Sequence, residues 1–163
     1  MRTPLPDITP DHHRHHDRAH DHDREAPLSL RFSATPRGAR LARRLAAQQM
    51  DAWGWPYGGP ANDAVELVVA ELAANAVTHG RVAGRDAELR LRRHGSGRVR
   101  VEVSDTRGER LPGQESAEPD AEHGRGLILV AALCETWGVV PRPGGPGKTV
   151  WAVVAAPPLT DHG

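Results

Sequence analysis

The chain has 163 residues, enough for one ordinary domain with a real core and too few for two. Lys and Arg (21) balance Asp and Glu (21) at a formal net charge of zero, so no overall field favours nucleic acid or an anionic membrane, and neither is expected as a direct partner. The lone Cys134 cannot make an internal disulfide, the N-terminus lacks the apolar run of a signal peptide, and the longest wholly apolar stretch, Leu127 to Cys134, falls far short of the roughly 20 residues of a membrane-spanning helix. A cytoplasmic location is expected.

Residues 1–26 hold six of the ten histidines, set among Asp and Arg, with only Leu5 and Ile8 as large apolar side chains. Such a segment cannot offset its ordering entropy and is expected to be a disordered arm. The other reading is a tract for Zn, Ni or Cu, although no fixed ligand spacing is visible. A domain spanning 27–156 follows, with a short tail at 157–163. Leu28, Leu30 and Phe32 alternate with polar residues as in a half-buried strand, and Thr35-Pro36 supplies an N-cap and first residue for a helix running past Met50 to Trp53-Gly54-Trp55-Pro56. Pro60-Ala61-Asn62-Asp63 opens a second helix that ends at Gly80. Ala87, Leu89 and Leu91, then Val99, Val101 and Val103, mark two strands joined by a His94-Gly95-Ser96-Gly97 hairpin. Thr106 to His123 lacks periodicity and reads as a long loop, a candidate lid. Gly124-Arg125-Gly126 introduces a third helix from Leu127 to about Thr136, and two strands, Trp137 to Val140 and Thr149 to Ala155, close the domain. The order β-α-α-β-β-α-β-β predicts an α/β fold of the α+β two-layer sandwich type, a mixed, mostly antiparallel sheet with helices on one face.

The second helix is apolar almost all round, which predicts burial on most sides. Its polar exceptions, Glu71, Asn75, Thr78 and His79, gather in one sector, and Glu66 stands alone. Glu71 and Asn75, one turn apart, point side by side. A carboxylate there can take a proton from an attacking hydroxyl while the amide oxygen helps to hold a hard cation; an ordinary pair at the solvent edge of a packed helix has the same spacing. Asp105 continues the row of Val99, Val101 and Val103 and so needs a partner for a buried carboxylate. That partner is either the exocyclic amine of a base or a local backbone N–H or Arg. Gly124 and Gly126, with Arg125, would let backbone N–H groups at a helix start approach an anion. Gly144-Gly145-Pro146-Gly147-Lys148-Thr149 is not a P-loop: the first glycine of that motif would fall on Arg142, and a strand follows instead of a helix. Cys134, in an apolar helix, reads as a core residue.

In order along the chain these segments resemble the ATP-binding domain of the histidine-kinase-like (GHKL) ATPase superfamily, with its Bergerat-type fold, and in particular the bacterial anti-sigma-factor serine kinases and their actinobacterial relatives. Glu71-Leu72-Ala73-Ala74-Asn75-Ala76-Val77-Thr78-His79-Gly80 resembles the N box, Val101-Glu102-Val103-Ser104-Asp105-Thr106-Arg107-Gly108 the G1 box, His123-Gly124-Arg125-Gly126-Leu127 the G2 box, and Gly147-Lys148-Thr149-Val150-Trp151 the last hairpin. The resemblance implies ATP and Mg²⁺ as cofactors, with Asn75 holding Mg²⁺ and Glu71 the general base. It further implies that Asp105 accepts from the adenine amine, that Gly108 belongs to the adenine-binding box, that Thr149 assists at the base, and that Gly124, Arg125 and Gly126 lie by the phosphates. It implies a serine protein kinase that phosphorylates an anti-sigma antagonist and sequesters a sigma factor, with a homodimer as a possible assembly. The chain departs from the G1 pattern after Asp105, where Arg107, Glu109, Arg110 and Leu111 stand in place of further glycines. That departure keeps open an alternative reading as a nucleotide-dependent binding module without transfer.

Overall fold

Alternating apolar residues build one sheet. In a computed structural model, which describes residues 26–79, 85–105, 121–142 and 146–160, the elements are β1 (Leu28–Ser33), α1 (Pro36–Ala52), α2 (Pro60–His79), β2 (Asp86–Arg93), β3 (Arg98–Ser104), α3 (Ala121–Leu133), β4 (Thr136–Pro141) and β5 (Lys148–Ala155). The five strands lie in the order β1-β2-β3-β5-β4, and all four pairings are antiparallel, so the sheet is not mixed. Leu89 and Leu91 of β2 pair across to Val103 and Val101 of β3, and Val99, Val101 and Val103 pair with Val154, Ala152 and Val150 of β5, which together with Ala87 form the row that the helices cover. At about 25 cal/mol per Å² of apolar surface removed from water, such fully buried Val and Leu side chains each contribute roughly 1.5–3 kcal/mol.

Thr35 caps α1 as its sequence signal predicts: the hydroxyl accepts from the Gly38 N–H at 3.1 Å, and Pro36 fills the first helical position. Gly38 is required by close approach, since a Cβ there would lie 2.0 Å from the Ser33 carbonyl oxygen at the end of β1. The turn after α1 buries Trp53 and Trp55 edge to face, with ring centroids 6.4 Å apart. Trp55 Nε1 donates to the Pro157 carbonyl at 2.9 Å and the Ala156 N–H to the Gly97 carbonyl at 2.8 Å, so ordered contacts reach the first residue of the expected tail.

Two expectations are corrected. The helix α2 is buried on one side only: Val65, Val68, Val69, Leu72, Ala73 and Ala76 face the core, whereas Ala74 is exposed and Leu67 is 40% exposed. Small apolar side chains on the outer side make the helix look buried all round when it is not. The helix α3 starts at Ala121 and ends at Leu133 instead of running from Leu127 to Thr136. Gly124 and Gly126 therefore lie within the helix and do not lead into it. The segments 1–25 and 106–120, which hold the His-rich arm and most of the expected lid, are outside the described residues.

Candidate functional site

The sheet register gathers several site residues at one end. Asp86 of β2, Ser104 of β3, Lys148 of β5 and Pro141 of β4 all lie there, and six residues connect His79 to Asp86, which tethers the C-terminal turn of α2 to the same end. Asn75 and Glu71 sit one and two turns before His79, both half-buried.

Glu71 and Asn75 converge on α3. Gly126 is buried, and a Cβ built on it would lie 2.6 Å from Glu71 Oε2 and 3.9 Å from Asn75 Oδ1. Both side-chain oxygens therefore hang over the bare Cα of Gly126. Glycine costs a helix interior about 1 kcal/mol relative to alanine, and here the close approach of two helices and a carboxylate gives it a reason. Gly126 thus meets Glu71 and Asn75 of α2 from inside α3, not from its first residue. Glu66, isolated in the sequence, pairs with Arg43 of α1 at 3.0 Å and lies apart from the site.

Asp105 is only 4% exposed. Its N–H donates to the Lys148 carbonyl at 3.0 Å, and its Oδ1 accepts from the Lys148 N–H at 3.4 Å. The local backbone partner is thus present, through a bond that is long at 3.4 Å. Thr149, 7% exposed, shares a 2.7 Å hydroxyl–hydroxyl bond with Ser104. The pairing of Ser104 with Thr149 and with Glu88 sets Thr149 on the open face of the sheet, opposite the row of Val101 and Val103. Gly108 lies outside the described residues, and Gly124 and Arg125 are placed only as helix backbone.

Two residues matter that the sequence did not single out for these contacts. Ser104 is the partner of Thr149, visible only once the β3–β5 register is known. Asn62, read as part of a helix opening, is 1% exposed and donates through Nδ2 to the carbonyls of Ala47 at 3.0 Å and Trp55 at 2.9 Å, locking α2 to the end of α1. Cys134 packs against the core, and burial pushes its thiol up to about 11, which makes it a poor nucleophile at neutral pH. Among the described residues no cluster of three or more His, Cys, Asp and Glu side chains is arranged to hold a metal, and no helix is long and apolar enough to cross a membrane.

A family model for the histidine kinase-like ATPase domain matches residues 32–154, the stretch that carries α2, Asp105 and the sheet. The chain belongs to this family. The matched region begins near the end of β1 and ends in β5, so it takes in all of β2, β3 and β4 and the three helices. Among solved structures, the RsbU and RsbW domains of Rv1364c from Mycobacterium tuberculosis share the fold at a TM-score of 0.60 and 20% identity, over 80% of this chain and 32% of that one. This ATPase domain thus spans about a third of that larger chain. No curated protein matches the sequence.

Proposed function

We propose that this domain binds Mg-ATP and acts as an anti-sigma-factor-type serine protein kinase, phosphorylating an antagonist protein and sequestering a sigma factor. The observation that carries the reading is the convergence of Glu71 Oε2 and Asn75 Oδ1 over Gly126. A carboxylate and an amide oxygen brought together on a half-buried surface suit a proton acceptor beside a hard-cation ligand. Bound Mg-ATP would supply the transferable phosphoryl group. Asn75 would hold the metal through Oδ1, and Asp105, pinned by Lys148, would accept from the adenine amine. Glu71 would take the proton from the attacking serine hydroxyl, so that the positioned groups do mainly orienting and electrostatic work. Thr149, bonded to Ser104, would fix the β3–β5 end on which Asp105 sits. The residues present fit the nucleotide: a buried carboxylate at the sheet end, and a cradle of two oxygens that a side chain at position 126 would fill.

Calorimetric titration of Mg-ATP into the protein tests the site. Binding is expected in the wild type and is expected to fall at least about tenfold in Asn75→Ala and in Asp105→Ala, the scale of losing one charge-assisted bond. Heat unchanged by both substitutions would remove the site. Glu71→Ala separates the kinase from a nucleotide-dependent binding module, the reading favoured by Arg107, Glu109, Arg110 and Leu111 after Asp105. It is expected to keep ATP binding and to lose transfer by about 100-fold or more.

A further inference from the structure

The helix α1 carries an exposed ridge that the nucleotide reading does not use. Arg37, Arg40, Leu41 and Arg44 recur at three- and four-residue spacing and so share one side of the helix. All four are exposed, with Leu41 at 51%. Among the described residues none of these three arginines has a salt-bridge partner, whereas Arg43, on the side facing α2, is paired with Glu66. The charges also run against the helix dipole. The first turn of α1 holds no acidic residue and the last turn no basic one; Arg37 sits near the positive end and Asp51 near the negative end. Helix stability therefore does not explain the arrangement, and no internal partner uses it.

We propose that this ridge docks an acidic, leucine-bearing segment of a partner protein, with Leu41 as the apolar anchor and Arg37, Arg40 and Arg44 as the charged contacts. Charge complementarity selects the occupant: three unpaired guanidiniums stand out on a chain whose formal net charge is zero. Leu41 at the centre selects protein over nucleic acid, because a phosphate backbone offers no apolar pocket for it, and arginines around a desolvated apolar anchor are the composition of interface centres. A membrane is disfavoured because the opposite side of α1, with Ala42, Ala46 and Met50, is already buried in the core. The inference does not depend on ATP binding.

The test uses the full chain and a fluorescent amphipathic helical peptide with Glu on one side and Leu on the other. Comparison probes are the same peptide with Lys for Glu, duplex DNA, and phosphatidylserine vesicles. The Glu peptide is expected to bind, with affinity reduced about tenfold or more by combined Arg37→Glu, Arg40→Glu and Arg44→Glu and about threefold by Leu41→Ser. The Lys peptide, DNA and vesicles are expected to bind at least about tenfold more weakly than the Glu peptide. The thermal midpoint of the triple variant should equal or exceed that of the wild type, since acidic groups near the start of α1 complement its dipole. Arg44→Ala, which leaves the first turn untouched, should reproduce a smaller loss. The proposal fails if the wild type does not bind the Glu peptide, if the substitutions leave binding unchanged, or if DNA or vesicles bind as tightly through the same residues.

Discussion

At the scale of single residues, Gly126 separates stability from function. An added methyl would meet Glu71 Oε2 at 2.6 Å, and that oxygen ends a flexible side chain which can swing away. Gly126→Ala therefore relieves the backbone entropy of a helical glycine, a gain of up to about 1 kcal/mol, while turning the Glu71 carboxylate out of its place over α3. The expected outcome is an unfolding midpoint equal to or above that of the wild type, with Mg-ATP turnover reduced about tenfold or more, as for a displaced general base. Chemical denaturation and a turnover assay on the same preparation check it. Full turnover in the alanine variant would mean that Glu71 does not work from its present position.

At the scale of elements, the joint between α1 and α2 rests on Asn62. Its amide donates to two carbonyls, of Ala47 and of Trp55, in a place almost closed to water, while its own Oδ1 has no partner among the described residues. Asn62→Ala removes both bonds and leaves the Trp55 carbonyl without its donor, at an expected cost of about 2 kcal/mol in urea unfolding. A change under about 0.5 kcal/mol, the level of an unremarkable surface substitution, would show that the pair of helices is held by packing alone. The sequence shows why such joints are hard to foresee. Leu28, Leu30 and Phe32, or Leu89, Leu91, Val99 and Val101, declare their strands by period-two burial, and Thr35-Pro36 declares the start of α1, because these signals are local. Asn62 reads as a helix opener because its two acceptors are 7 and 15 residues away. Gly126 reads as part of a helix start because the reason for a glycine inside α3 lies on α2. The Glu71–Asn75 pair and Asp105 were legible as candidates, since one turn of helix and a strand row fix their directions. The bond of Thr149 to Ser104 was not, because it depends on which strand lies beside β3.

At the scale of the whole molecule, a two-layer fold leaves one face of its sheet without helices, and that face is held by charges arranged across strands. Glu88 on β2 accepts from Ser29 of β1 at 3.1 Å and from Arg90 at 2.8 Å, and its other oxygen lies 3.6 Å from Arg142, which reaches back from the end of β4. Glu102 on β3 pairs with Arg100 at 2.7 Å, and Arg100 lies over the Trp151 ring of β5, its carbon 4.5 Å from the centroid. Burial works to raise the Glu88 carboxyl, but the hydrogen bonds from Arg90 and Ser29 and the charges of Arg90 and Arg142 outweigh it and hold the group below the usual carboxylate range. A carboxyl lowered on folding contributes stability that is present above its unfolded value, near about 4.3, and is lost as pH falls through the lower folded value. Glu88→Gln should therefore destabilise the domain by about 1 kcal/mol at pH 7, a modest figure because the arginines are partly solvated. The difference between the two proteins should shrink steadily as urea unfolding is repeated from pH 5 downward. A gap that stays constant through that window would mean that Glu88 acts by shape and neutral hydrogen bonding, and that the charge network does not join the edge strands to the centre of the sheet.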